Sequence, residues 1–190
     1  MRYDITFKGS GTQQSAVGDA RVNGGDVVVQ NADGVVRIIV TRGVGYINAG
    51  SAGLQGALGL SPAVASANAN RWISVTAAEP QYKQLVAATS FSSIMAEFTP
   101  GGSHLHLTQK TVSGHRVGLI DGIGTTPAKS TYDIQMAVTA LAPVLPVGAA
   151  VDVQVNGQAA TQGVLFSLWG KRIPIPPPTK AIPLSSTSSG

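Results

Sequence analysis

The chain has 190 residues, 43% of them hydrophobic and only 12% charged, with a net charge of +4 and no cysteine. This length fits one domain with a sizeable core, and the lack of cysteine excludes disulfides, thiolate catalysis and Cys-ligated metals. The 13 lysines and arginines adjoin only at Lys171-Arg172, so no basic stripe of a nucleic-acid binder is present, and no apolar run reaches the ~18 residues of a membrane-spanning helix. Charge is about half the usual share, which leaves the surface to Ser, Thr, Gln, Asn and Gly and suits a secreted or envelope protein better than a cytosolic enzyme. A strand-like segment follows Met1 at once, which suggests a piece of a longer precursor that has lost its signal segment.

In chain order, residues 2–8 alternate as a strand, with Tyr3, Ile5 and Phe7 on one face and Asp4 and Thr6 on the other. Gly9-Ser10-Gly11 breaks it. Residues 15–22 and 26–30 read as strands joined across Asn23-Gly24-Gly25, and Ala32-Asp33-Gly34 turns into a strand at 35–41. There Val36, Ile38 and Val40 share a face. Arg42-Gly43 leads into a fifth strand, Val44 to Asn48. The pattern then becomes helical from about Leu54 to Phe98. Leu54, Ala57 and Leu58 form one patch, and Ser61-Pro62 caps the next, with Val64, Ala65 and Ala67. Trp72 to Val75 is a brief extended piece. Glu79-Pro80 opens a helix carrying Tyr82, Leu85, Val86 and Ala88, with Glu79 as first-turn charge. Ser90 caps another carrying Phe91, Ile94, Met95 and Phe98, which Pro100-Gly101-Gly102 ends.

Strands resume at 103–109, 114–121, 130–138, 150–156 and 162–168, separated by turn chemistry at Ser113-Gly114, Asp121-Gly122, Pro146–Gly148 and Asn156-Gly157. Their apolar sets are Leu105 and Leu107, then Ile134, Met136 and Val138, then Val151, Val153 and Val155. Ile173 to Pro178 predicts polyproline II, and Ser185 to Gly190 predicts disorder. The reading is therefore an α+β domain over 1–172, about ten antiparallel strands interrupted once by two or three short helices, with a Pro/Ser-rich tail over 173–190.

Catalytic signals are weak. His104 and His106 share a strand face and a hairpin could bring His115 near, a set able to hold zinc. That face is the wet one, however, and a surface pair is the simpler reading. Gly43-Val44-Gly45 with Gly50 resembles a phosphate loop in position only, since no Gly-Lys-Ser/Thr follows; turn glycines explain it. Asp121-Gly122-Ile123-Gly124-Thr125-Thr126 precedes no helix. Gly-x-Ser-x-Gly is absent, and the nine acidic residues form no pair suited to general acid–base work. No enzyme activity, metal or cofactor is expected.

The one-sided alternation makes a sheet with a wet face and a greasy face, and the helical patch is the only segment available to cover the latter. Aromatics are 5% of the chain, and Gly, Ala and Val dominate the sheet. Native interiors pack to about 0.74 density, so small residues on both sides of that space predict a void. An apolar void of several hundred Å³ accepts lipid by default. A sixteen-carbon chain gains on the order of 10 kcal/mol there before ordering costs.

Several segments resemble the actinobacterial LppX/LprG-type lipoproteins, whose domain is similar to the LolA/LolB fold. They are Gly43-Val44-Gly45-Tyr46-Ile47, Leu58-Gly59-Leu60-Ser61-Pro62, Asn70-Arg71-Trp72-Ile73-Ser74-Val75, Tyr82-Lys83-Gln84-Leu85, Thr89-Ser90-Phe91-Ser92, Glu97-Phe98 and Phe166-Ser167-Leu168-Trp169-Gly170-Lys171. Their order and spacing carry the likeness over most of residues 3–178. The resemblance implies a U-shaped antiparallel half-barrel with helices over its concave face and an apolar cavity between. It implies non-catalytic carriage of an acylated lipid or glycolipid in the cell envelope, with a membrane or envelope transport protein as a possible partner. The lining it implies is Ile5, Phe7, Val36, Ile38, Val40, Leu85, Ile94, Met95, Phe98, Leu105, Leu107, Ile134, Met136 and Val138, with Trp72 and Trp169 structural. The chain departs from the family in lacking a lipidated cysteine and a helix before the first strand. The other readings are an interaction module on the same fold with a filled core, and a hydrolase built from scattered residues.

Overall fold

The computed structural model describes residues 1–9, 12–112, 115–125, 131–155 and 158–187, at several strand ends as backbone alone. The first five strands form a meander: β1 (Arg2–Gly9), β2 (Thr12–Arg21), β3 (Gly24–Asn31), β4 (Gly34–Thr41) and β5 (Val44–Ala49). Helices α1 (Ser51–Leu58) and α2 (Pro62–Ala67), strand β6 (Ile73–Thr76), and helices α3 (Gln81–Thr89) and α4 (Phe91–Phe98) follow. The second meander is β7 (Gly101–Val112), β8 (His115–Thr125), β9 (Thr131–Thr139), β10 (Pro146–Val155) and β11 (Gln158–Ser167). A last strand β12 (Ile182–Pro183) runs into the helical turn α5 (Leu184–Thr187).

All strands join one open sheet in the order β12-β6-β5-β4-β3-β2-β1-β11-β10-β9-β8-β7. The first strand sits near its middle, pairing antiparallel with β2 on one side and β11 on the other. Every neighbouring pair is antiparallel except β12 with β6. Residues directly opposite in register share a face, and one row crosses ten strands. From β7 to β5 it reads Leu107, Ile120, Met136, Ala149, Val164, Ile5, Ala16, Val29, Val36, Ala49. Each is apolar. The row on the other face through His106, Asp121, Gln135, Ala150, Gly163, Thr6, Ser15 and Gln30 is mostly polar. The alternation in the sequence thus marks an inner and an outer face.

The helices lie on the inner face. Their starts follow from capping: the Ser61 hydroxyl accepts from the Val64 N–H at 3.4 Å ahead of Pro62, and the Ser90 hydroxyl accepts from the Ser93 N–H at 3.3 Å. Glu79 differs from the expected first-turn charge. Its carboxylate reaches back to the Thr76 N–H and hydroxyl and closes the turn between β6 and α3. Leu54, Leu85, Phe98, Ile47 and Ile73 are fully buried between these layers.

The Ser-rich end also differs from its expected disorder over Ser185–Thr187, residues 188–190 lying outside the described residues. The chain returns from β11 so that the Thr41 hydroxyl donates to the Ile175 carbonyl at 3.2 Å, β12 pairs with β6, and Leu184 and Thr187 are buried. Ile175 and Leu184 supply apolar anchors that a composition reading of the prolines and serines overlooks. Two strands join the expected ten: β6, the extended piece after Trp72, which pairs with β5, and β12 from the tail.

Candidate functional site on the inner face

The helices cover the inner face unevenly. α3 packs against β2 to β6 and α1 against β4 and β5, while α4 reaches across to β10. Under α1 and α3 the sheet presents small residues, and these bring the helices closer instead of leaving a void. A Cβ at Gly45 would stand 2.8 Å from Leu85 Cδ1, and one at Gly25 would stand 2.5 Å from the Thr89 carbonyl oxygen. On the helix side, a Cβ at Gly53 would stand 2.8 Å from the Ala49 Cβ. The expected hollow therefore does not exist there. Ile38, Val40, Leu85, Ile94, Phe98, Ile134, Met136 and Val138 are buried in one continuous core, with Val36 and Met95 packed against it.

Aromatic packing closes a second region. Phe91 and Phe98 from α4 meet Trp169 and Phe166 at the end of β11, with ring centroids 5.9 Å (Phe91–Trp169), 6.2 Å (Phe98–Phe166) and 6.0 Å (Phe166–Trp169) apart. The Trp169 indole donates to the Pro146 carbonyl at 2.8 Å. Trp72 lies under the Arg37 guanidinium at 5.9 Å.

Beyond this cluster the helices stop short and the inner face opens. A recess of about 450 Å³ lies over β1, β2, β3 and β11, against the end of α4. Ile5, Phe7, Ala16 and Val29 form its apolar floor; Gln14, Gln162 and Glu97 are its polar side chains, and Ser15, whose side chain faces outward, borders it through backbone. Of the fourteen lining positions expected from the sequence, only Ile5 and Phe7 border it. Leu105 and Leu107 keep their inner-face assignment, but at the uncovered edge strand β7 they are 55% and 65% exposed. Sequence reasoning missed Ala16, Val29 and Glu97. Ala16 and Val29 stand directly opposite Ile5 and Val36 in the apolar row, a signal that appears only once the register is known.

Glu97 is the one titratable group of the recess lining. Burial pushes its carboxyl above the ordinary carboxylate value, and a hydrogen bond from the Gln162 side chain works against that shift. Above Ile5 on the same face, Tyr3 is buried with its hydroxyl unpartnered, and burial holds the phenol well above its usual range.

No metal centre emerges among the described residues, where no group of three His, Asp or Glu could hold an ion. His106 lies on the outer face opposite Asp121. The side chains of His104 and His115, like those of Val153 and Val155 and the turns at 113–114 and 156–157, lie outside the described residues. The glycines at 43 and 45 act as a turn and a helix seat: Gly43 has φ +77° after Arg42 at φ 54°. On the outer face a groove of about 480 Å³ carries Asp121, Asp133 and Asp152. Two of these carboxylates are engaged, Asp121 with Gln135 at 2.7 Å and Asp152 with Thr161 at 2.9 Å.

An open, curved antiparallel sheet carrying its helices on one face defines an LppX-like α+β fold. The chain is similar in structure to the Mycobacterium tuberculosis lipoprotein LppX, with a TM-score of 0.54 and 13% identity over 92% of this chain and 88% of that one. No protein-family model matches the chain, and no curated protein matches it in sequence.

Proposed function

We propose that this chain is a non-catalytic carrier of an acylated lipid or glycolipid in the cell envelope, outside the cytoplasm. The observation that carries the reading is the recess over Ile5, Phe7, Ala16 and Val29, an uncovered apolar stretch beside a buried core. Its volume of about 450 Å³ falls in the range of ligand sites. Each methylene of a guest removed from water there contributes about 0.8 kcal/mol. The polar lining suits hydroxyls: Gln14 and Gln162 both donate and accept, and Glu97 accepts or, when protonated, donates. No lysine or arginine lines the recess, so a phosphate head would find no counter-charge. The LppX-like fold and the family resemblance support the same reading, including an envelope or membrane protein as delivery partner.

The test is native mass spectrometry, with organic extraction, of protein purified without detergent. Acyl lipid should co-purify, and Ala16→Trp, which fills the floor, should reduce it, with circular dichroism confirming the fold and Val29→Trp as a second filling variant. A clean apo mass with no uptake of a fatty acid or glycolipid overturns the carrier reading and favours an interaction module.

A further inference from the structure

One end of the sheet carries a set of features that the recess does not use. It is the end at which β2 turns into β3, β9 into β10, and β11 leaves the sheet. In sheet order these strands are β3-β2-β1-β11-β10-β9, six neighbours that at ~4.8 Å per step span roughly 24 Å. Each exit displays a large apolar side chain in water: Val22 is 79% exposed, Leu141 82%, Val144 63% and Leu168 43%. Four such side chains on the tips of neighbouring turns contribute nothing to the core.

The longest of these turns is built to hold its shape. Thr139 N–H donates to the Leu145 carbonyl at 2.9 Å, and Leu145 N–H donates back to the Thr139 hydroxyl at 2.9 Å. That hydroxyl in turn donates to the Pro143 carbonyl at 2.9 Å. The Trp169 indole, bonded to Pro146, ties the β11 exit to the base of the same turn. Lys171 N–H closes that exit onto the Leu168 carbonyl at 3.2 Å. Leu141, Val144 and Leu168 are thus presented by ordered backbone, so little ordering cost remains when they are buried.

The unpaired charge at this end is mostly positive. Arg21, Arg42, Lys171 and Arg172 are exposed there, and Lys110 and Arg116 flank it on β7 and β8. None of the six is in an ion pair among the described residues, where the ion pairs are Arg2–Asp19 and Arg37–Asp26. Of the carboxylates at this end, Asp19 pairs with Arg2 and Asp26 with Arg37, while Glu79 keeps its charge and is held by the Thr76 N–H and hydroxyl.

We infer that this end of the sheet docks on an anionic lipid bilayer, with Val22, Leu141, Val144 and Leu168 entering the interface and the surrounding basic side chains meeting lipid head groups. Separate apolar points on turn tips are poor material for a protein interface, which needs a continuous complementary surface of about 1,000 Å² or more. A fluid interface closes around separate points, and basic side chains beside them add attraction to negatively charged lipid. The inference does not depend on the carrier reading, because none of these residues lines the recess.

The test is co-flotation of the purified chain with vesicles of phosphatidylglycerol mixed with phosphatidylcholine, against vesicles of phosphatidylcholine alone. Wild type should float with the anionic vesicles and lose that binding at high salt. The doubles Leu141→Ser/Val144→Ser and Lys171→Glu/Arg172→Glu should each weaken binding, the charge reversal by at least about tenfold. All four positions are exposed, so both variants should keep the wild-type melting curve and the same co-purified lipid. Failure of wild type to bind anionic vesicles, equal binding to both vesicle types, or unchanged binding by both doubles overturns the inference and leaves the carrier reading standing.

Discussion

Two side chains on the inner face carry unbalanced polar groups, and each gives a sharp expectation. The Tyr3 hydroxyl is buried without a hydrogen-bond partner, a state that costs about 1–3 kcal/mol. Tyr3→Phe removes the orphaned group and keeps the ring that packs between Gly18 and Phe166 in register. It should raise stability by about 1 kcal/mol, roughly 2–4 °C in melting temperature for a chain of this size. A loss of stability in calorimetry would show that the hydroxyl has a partner in solution. Glu97 gives a pH dependence. Its carboxyl is raised from an ordinary value of 4.5, chiefly by burial. Between the unfolded and folded values the native state holds the extra proton, so stability declines as pH rises from about 4.5 through the folded value and then levels. Glu97→Gln removes that decline. Its melting temperature should exceed wild type at pH 7 and match it near pH 4; parallel curves at both pH values would show that the carboxyl is not desolvated.

At the level of elements, the strands and helix caps were legible because their signals are local. Alternation in five stretches and turn signals between the others locate the ten long strands, and Ser61-Pro62 and Ser90 place two helix starts where the hydroxyls do cap. The hairpin at Asn23-Gly24 was found one residue off, since the turn residues are Val22 and Asn23 and Gly24 already pairs with Arg21. What the sequence hid is the meaning of its small residues. The scarcity of large residues suggests a void, yet whether a small residue such as Gly25, Gly45, Gly53 or Ala49 leaves space or admits a neighbour depends on which element faces it. Here it admits α1 and α3. The same ambiguity explains why buried Leu85 and Ile94 were assigned to a cavity wall while Ala16 and Val29, which border the recess, were not. The seating is testable. A Cβ at Gly25 meets two backbone oxygens, Asp19 and Thr89, each at 2.5 Å, whereas one at Gly45 meets the end of the Leu85 side chain at 2.8 Å. Backbone cannot yield as a side chain can, so Gly25→Ala should cost about 3 kcal/mol or more and Gly45→Ala about 1–2 kcal/mol. Equal losses in urea unfolding would mean that α3 lifts as a unit.

For the whole molecule, the sheet order puts the first strand near the centre and the helical insertion between the two meanders. The two halves of the inner face therefore meet different fates. The half from β2 to β6 lies under α1 and α3, and the returning tail extends it by pairing β12 with β6, while the Thr41–Ile175 hydrogen bond holds that tail against the outer face of β4. The other half ends at β7, whose inner-face Leu105 and Leu107 stand exposed. Stability should accordingly be concentrated on the helix-covered side, and local opening on the β7–β9 side. Hydrogen exchange should protect β3, β4 and β5 most strongly and β7 least, because the outer edge of β7 has no strand beside it. A chain ending at Lys180 removes β12 and α5, uncovering β6 and the buried Leu184 and Thr187 contacts. It should lose about 2–4 kcal/mol, from one large apolar side chain and the strand pairing, and its faster exchange should be confined to β5 and β6. If protection fell equally across β7 to β11 instead, the sheet would be a single cooperative unit, and an inner face that opens from one side to admit a guest would lose its physical basis.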